Sequence, residues 1–271
     1  MGSIREAGVD IGGRVYTIAS DDDYLTYVSS GFEPQMVHLF RTLARGSEVI
    51  LDVGANIGCT AILFSGLARE VHAFEPSPTT FAFLERNVGK AGLGNVLVHN
   101  MGLGAEEGSS TLTFSPSNRS GGFVSDRTRA GEGFTVETIE IRRLDDVVPS
   151  LGLESLQFIK IDVEGFEGHV LRGGCETLSR FRPVVVLELN HWCLNALQRT
   201  SIPEFFDFLR STFPILLAVD GRSYLDIHDE GERYVVMYHH ILHMRFANIV
   251  AAFDEDRVRD LRASYKHVFI P

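Results

Sequence analysis

Short apolar runs alternate with amphipathic stretches through most of this chain. The rhythm predicts a mostly parallel sheet covered by helices on both faces. Val49-Ile50-Leu51-Asp52-Val53 is apolar and ends at a glycine, which predicts a buried parallel strand. Val71 to Phe74, Val96 to Asn100, Leu156 to Asp162 and Val184 to Leu189 repeat that pattern. Between them, Thr60 to Leu67, Thr79 to Ala91 and Phe166 to Ser179 have helical length, and Phe81, Leu84 and Val88 share one face. Pro34 to Ala44 sets Met36, Val37, Phe40 and Leu43 at helical spacing, and Pro203 to Thr212 reads as another helix. Ile215 to Val219 and Ala247 to Ala252 are expected as the last two strands, antiparallel neighbours at one edge.

Residues 102–140 break the rhythm. They are rich in Gly, Ser and Thr and predict an irregular excursion beside the active face, with the loop Ser115 to Gly122 as a lid. No repeat and no linker is visible. The simplest division is an N-terminal cap segment, 1–45, followed by one compact unit, 46–271.

Charge narrows the partners. With 25 basic against 36 acidic residues, the net charge of -11 disfavours a nucleic-acid phosphate backbone. Arg127 with Arg129, and Arg142 with Arg143, are only local pairs. No apolar run reaches the ~18 residues of a membrane span, and the N-terminus does not read as a signal peptide. Cys59, Cys175 and Cys193 form no CxxC pair, so free thiols in a reducing, cytoplasmic setting are expected.

The chemistry concentrates at Asp52 to Gly58. Gly54 and Gly58 follow a strand and precede a helix, a place where a turn with positive φ brings backbone N–H groups toward a ligand. The spacing is G-x-x-x-G rather than the dinucleotide pattern G-x-G-x-x-G. Asp52 would repel a pyrophosphate and could hold an ammonium group. Glu75, at the end of the next strand, is placed to accept hydrogen bonds from both ribose hydroxyls.

At this point the segments DVGANIG, AFEPSP, IKIDVEGFE and VLELN, in that order and spacing, resemble the FkbM-type methyltransferases of the Rossmann-like class. The resemblance covers about residues 48 to 190. It implies a seven-stranded α/β sheet with an antiparallel last strand and S-adenosylmethionine as methyl donor, leaving S-adenosylhomocysteine. It also implies O-methylation of hydroxyl groups on small molecules, including natural products and sugars. Position by position, Gly54, Ala55, Asn56 and Gly58 would contact the methionine part. Glu75 would bind the ribose, and Asn100, Met101 and Gly102 would lie near the adenine. Asp162 would face both the methionine end and the acceptor.

The carboxyl ends of the fourth and fifth strands bring further polar groups together. His191, Asp162 and Glu164 are the candidate catalytic residues, His191 being the natural base because its pKa lies near neutrality. Asn118, Ser120, Glu188 and Asn190 are candidate acceptor contacts. Asp162, Glu164, Glu188 and His191 could also ligate a divalent metal, but ordinary hydrogen bonding accounts for them and none is assigned. His239, His240 and His243 are expected to be structural or to line the acceptor pocket. The partner is therefore a small-molecule acceptor, with homo-oligomerisation left open. N-methylation, an NAD-dependent oxidoreductase and a non-catalytic nucleotide-binding module remain the alternatives.

Overall fold

The apolar runs do form a central sheet. The computed structural model describes residues 3–125 and 131–268, so Arg127 and Arg129 lie outside the described residues. Seven strands make the sheet: β1 (Ser47–Val53), β2 (Ala68–Phe74), β3 (Val96–His99), β4 (Phe158–Ile161), β5 (Val184–Glu188), β6 (Ile215–Asp220) and β7 (Asn248–Ala252). Their order is β3-β2-β1-β4-β5-β7-β6, and Ser223–Asp226 and Lys266–His267 extend the β6 edge to nine strands. Strands β1 to β5 run parallel, whereas β7 is antiparallel to both β5 and β6. This is the class I methyltransferase arrangement. As expected, β6 and β7 are antiparallel neighbours at one side of the sheet, with β7 the inner of the two, between β5 and β6. Its run Ile249 to Ala252 is buried, and that position supplies apolar neighbours on both sides.

Side-chain alternation divides the core in two. Ile50, Phe158, Val184 and Val186 point into one apolar layer, and Leu51, Ile159, Val185 and Leu187 point into the other. The first layer is covered by the helices Pro34–Ala44, Cys59–Ser65 and Pro78–Ala91 and by the hairpin Arg5–Ile11 and Arg14–Ser20. Phe40, Phe64 and Phe158 meet edge to face there, at 4.9 to 5.9 Å between ring centres. Such contacts contribute about 0.5–1.5 kcal/mol each beyond area burial. The helix Pro78–Ala91 starts where Pro78 needs no N–H partner and the Ser77 hydroxyl accepts from Thr80 N–H. The single helix expected over Phe166 to Ser179 is instead two, Glu167–Arg172 and Cys175–Phe181, separated by Gly173-Gly174.

Residues 102–142 are more regular than their composition suggested. Gly102–Leu103, Thr135–Arg142, Gly108–Ser115 and Asn118–Val124 form, in that order, a second sheet of four strands. The Ser115 to Gly122 segment is therefore a hairpin turn and a strand, not a loose lid. It is tied to the N-terminal segment by a two-pronged Arg119–Asp21 ion pair at 2.9 and 3.0 Å and by Asp23 N–H donating to the Ser117 carbonyl.

The join between β1 and β4 sets the shape of the sheet's carboxyl edge. Gly54 has φ +78, and a Cβ there would lie 1.9 Å from the Asp162 carbonyl oxygen. Replacing it forces the two strand ends apart. Gly54→Ala is expected to cost about 3 kcal/mol or more, read as a lowered urea midpoint. An unchanged midpoint would show that these strand ends are free to separate.

Candidate functional site

A cavity opens at the carboxyl ends of β1, β2 and β4 and runs down toward the helix Pro34–Ala44. Its wall includes Gly54, Ala55, Asn56, Glu75, Met101, Gly102, Asp162, Glu164 and Glu188, all expected site residues, together with Ser120. Tyr24, Glu33, Met36, Arg119 and Lys160 also line it, and none of these five was expected as a site residue.

The turn after β1 is clamped to β2. Gly54 and Ala55 N–H both donate to the Phe74 carbonyl, at 3.0 and 2.9 Å. Asn56, with φ 49, donates its N–H to Glu75 Oε2 at 3.0 Å, and Ser77 N–H donates to Oε1 at 3.0 Å. Glu75 is thereby fixed at the cavity wall. Burial pushes its carboxyl up to about 7, against the pull of those two N–H groups.

Four expected residues do something other than line the cavity. Gly58 caps the helix Cys59–Ser65 at φ 99, and a Cβ there would meet Leu84 Cδ1 at 2.9 Å, so it serves helix packing. Asn100 donates from Nδ2 to the carbonyls of Glu75 and Pro76, stapling the chain beside the site. Asn118 accepts from the N–H and hydroxyl of Ser120. Asp52 is wholly buried behind the wall. Its neighbour is Lys160, its direct partner in the β1–β4 register, with Nζ at 3.4 Å from Oδ1. The acidic lead-in to the turn is thus answered by a cation of the same chain rather than by a ligand's ammonium.

Lys160 is the hub. Its Nζ donates to the Gly54 carbonyl at 2.8 Å and lies 3.4 Å from Asp162 as well as from Asp52. Burial alone would lower its pKa, but the two carboxylates hold it above the ordinary lysine range. A lysine inside the otherwise apolar run Phe158-Ile159-Lys160-Ile161 was the available signal, since a buried strand tolerates a cation only beside an anion.

Beyond Asp162 the chain turns through Glu164, at φ 52. Glu164 Oε2 accepts from Asn190 Nδ2 at 3.2 Å and from Cys193 Sγ at 3.1 Å. Burial first, then the neighbouring Asp162, pushes its carboxyl up to about 7. Glu188, at the end of β5, has a buried Oε2 without a hydrogen-bond partner among the described residues, and burial with Asp162 and Glu164 raises its pKa well above the usual carboxylate range. Behind them Glu167 accepts from Val163 and Gly165 N–H, and burial pushes it up to about 8.

His191 is placed differently from expectation. Together with Asn190 it stands at the start of the helix His191–Gln198, outside the cavity wall. Its N–H donates to His240 Nε2 and its ring packs edge-on against His240, 5.1 Å away. His240 is buried and donates from Nδ1 to the Arg245 carbonyl at 2.8 Å, a structural role. The helix Glu230–His243 that carries it does not line the cavity. Asp162, Glu164, Glu188 and His191 do not form a metal site: no group of three or more His, Cys, Asp or Glu able to hold a metal occurs among the described residues. The three cysteines are free thiols.

Comparison with known proteins accords with this geometry. The methyltransferase FkbM domain matches residues 52–223. The chain belongs to that family of S-adenosylmethionine-dependent methyltransferases. The hexuronic acid methyltransferase AglP of Haloferax volcanii is 32% identical over 154 residues, 57% of this chain and 61% of that protein. The 2-O-methyltransferase NoeI of Sinorhizobium fredii is 32% identical over 156 residues, 52% and 63% of the two chains. The 31-O-demethyl-FK506 methyltransferase FkbM of Streptomyces tacrolimicus is 32% identical over 158 residues, 48% and 60%. The matched region thus spans about three fifths of each relative. Among solved structures, a methyltransferase FkbM from Methylobacillus flagellatus matches with a TM-score of 0.41 at 21% identity, covering 62% of this chain and 38% of that one. No described helix is long and apolar enough to cross a membrane.

The family's donor fits the cavity by charge. Glu33, Glu75, Asp162, Glu164 and Glu188 line it, against Lys160 and Arg119, and Arg119 is already neutralised by Asp21. A surplus of acid suits S-adenosylmethionine, in which a sulfonium and an ammonium face one carboxylate, and opposes the pyrophosphate of NAD. Gly54, Ala55 and Asn56 offer close backbone, and Glu75 retains lone pairs for ribose hydroxyls.

The same carboxyls give the ligand-free protein a defined pH response. Glu75, Glu164 and Glu167 have folded values near 7, 7 and 8, above their ordinary 4.5. The folded state therefore holds protons that the unfolded chain gives up. Their stabilising contribution is complete below about 4.5 and is lost as pH rises through 7 to 8. Thermal unfolding of the ligand-free protein is expected to fall in midpoint between pH 5 and 8.5. Glu167→Gln, which keeps an acceptor oxygen for Val163 and Gly165, should flatten that slope. A midpoint that rises across this window would contradict the assignment.

Proposed function

We propose that the chain transfers a methyl group from S-adenosylmethionine to a hydroxyl of a small molecule, a sugar or a natural product. The observation that carries this is the trio Asp162, Glu164 and Glu188, converging on the donor-sized cavity from the ends of β4 and β5. The names of the relatives support the oxygen acceptor: NoeI is a 2-O-methyltransferase and the FkbM enzyme acts at a 31-O position. We take residues 1–45 and 46–271 as one working unit, because Tyr24, Glu33 and Met36 complete the wall that the sheet begins.

When bound, S-adenosylmethionine supplies a methyl carbon activated by positively charged sulfur. The protein's tasks are alignment, exclusion of water and removal of the acceptor's proton. Gly54, Ala55, Asn56 and Glu75 would hold the donor, and Glu164 would take the proton of the acceptor hydroxyl. That carboxyl, held near 7, is ionised at slightly alkaline pH yet basic enough to accept a proton. Asn190 and Cys193 engage its Oε2, leaving Oε1 for the acceptor. Glu188 and Asp162 orient the hydroxyl. Asn190 acts as a positioning residue, and His191 has no direct part because it lies outside the wall.

Calorimetric titration with S-adenosylhomocysteine and NAD tests the donor reading. The first is expected to bind and NAD to give no heat, and the reverse pattern would sink the reading. For the base, Glu164→Gln should leave S-adenosylhomocysteine affinity within about twofold while slowing methyl transfer to a hydroxylated acceptor by about 10²-fold. Turnover at the wild-type rate would remove Glu164 from the role.

A further inference from the structure

We propose that Glu33, in the segment that precedes the sheet, is the carboxylate that receives the α-ammonium group of the methyl donor; this rests on the donor reading above.

Strand alternation explains why that segment reaches the donor's amino-acid end. Phe158, Lys160 and Asp162 lie two residues apart, so Lys160 and Asp162 project on the side of the sheet where Phe158 packs. That side is covered by the helix Pro34–Ala44, whose Phe40 meets Phe158 edge to face at 5.9 Å. Glu33 immediately precedes this helix, and it lines the same cavity as Gly54, Asn56 and Asp162.

Most acids of the cavity wall already have partners. Glu75 accepts two backbone N–H groups, Asp162 lies beside Lys160, and Glu164 is engaged by Asn190 and Cys193. Glu188 has an unpartnered oxygen, but its acidic neighbours are Asp162, Glu164 and Glu167, at the acceptor end. The Glu33 carboxylate has no hydrogen bond or ion pair among the described residues, and the charges that act on it are Asp162 and Lys160. Desolvation and Asp162 raise its pKa, and a cation bound between the two would relieve both effects.

The backbone at Glu33 is itself held in place. Glu33 has φ 27 and ψ 74, a conformation that costs a side-chain-bearing residue free energy and persists only where its surroundings enforce it. Here Phe32 is buried, its N–H donates to the Asp10 carbonyl at 2.8 Å, and Pro34 opens the helix on the other side. Val37 N–H takes up the Glu33 carbonyl at 3.0 Å. Tyr24 stands beside it in the wall, an aromatic neighbour from the same N-terminal segment.

Three probes separate the donor's parts. S-adenosylhomocysteine carries both ammonium and carboxylate, its decarboxylated analogue keeps only the amine, and 5′-methylthioadenosine has neither. Glu33→Gln, at a solvent-accessible position, should weaken binding of the first two by tenfold or more in calorimetry and change the third by less than twofold. Equal weakening of all three, or unchanged affinity for S-adenosylhomocysteine, would overturn the assignment. Loss confined to S-adenosylhomocysteine would also overturn it, since Glu33 would then be acting at the carboxylate. Failure of the unsubstituted protein to bind any of the three would instead overturn the donor reading itself, and this inference with it.

Discussion

A buried ammonium holds the centre of this molecule together. Lys160 Nζ sits between Asp52 on β1 and Asp162 beyond β4, and donates to the carbonyl of Gly54 in the turn between them. The parallel register sets Lys160 opposite Asp52, so the pair is a consequence of strand pairing and not of a flexible side chain finding a partner. Neither Asp52 oxygen has a hydrogen bond among the described residues, and the ion contact is what offsets its removal from water. The arrangement fixes the turn's carbonyl inward and turns the N–H groups of Asn56 and its neighbours toward β2, where Glu75 is caught. The shape of the turn therefore depends on a buried cation as well as on its glycines.

Around this clasp the wall is acidic and largely desolvated. Glu75 and Glu164 are pushed up to about 7 by burial, and Glu167 to about 8. Such groups weaken the empty protein at alkaline pH, and a cationic ligand relieves the same repulsion. The site is thus built at some expense of stability, as is common where function needs buried charge. The N-terminal segment and the second sheet close over it, held to each other by the buried Arg119–Asp21 pair. The rim there is a hairpin tied to the N-terminal segment, where a lid loop had been expected.

The order of residues was sufficient for the fold class and for several residues of the cavity wall. Apolar runs of strand length, separated by helical spacing, announced β1 to β5 because a parallel strand buried on both faces has no polar alternation to hide it. The glycine turn and Glu75 were readable because both stand at strand ends, where local sequence and site position coincide. The second sheet was not readable, since Gly, Ser and Thr suit a loop as well as an edge strand whose pairing lies far along the chain.

Contacts distant in sequence decided the rest. Asp52 looked like a ligand group until Lys160, 108 residues away in sequence, was found opposite it in the sheet. His191 has the right chemistry for a base, but it packs against His240 outside the cavity wall, whereas Glu164 lines that wall. Glu33 carried no local signal at all; the docking of the helix it precedes, Phe40 against Phe158, places it in the same cavity wall as Asp162. Local pattern determines which elements form, because it reflects periodic burial along the chain. Which charges meet depends on strand register and helix docking, and these are set by the folded chain as a whole.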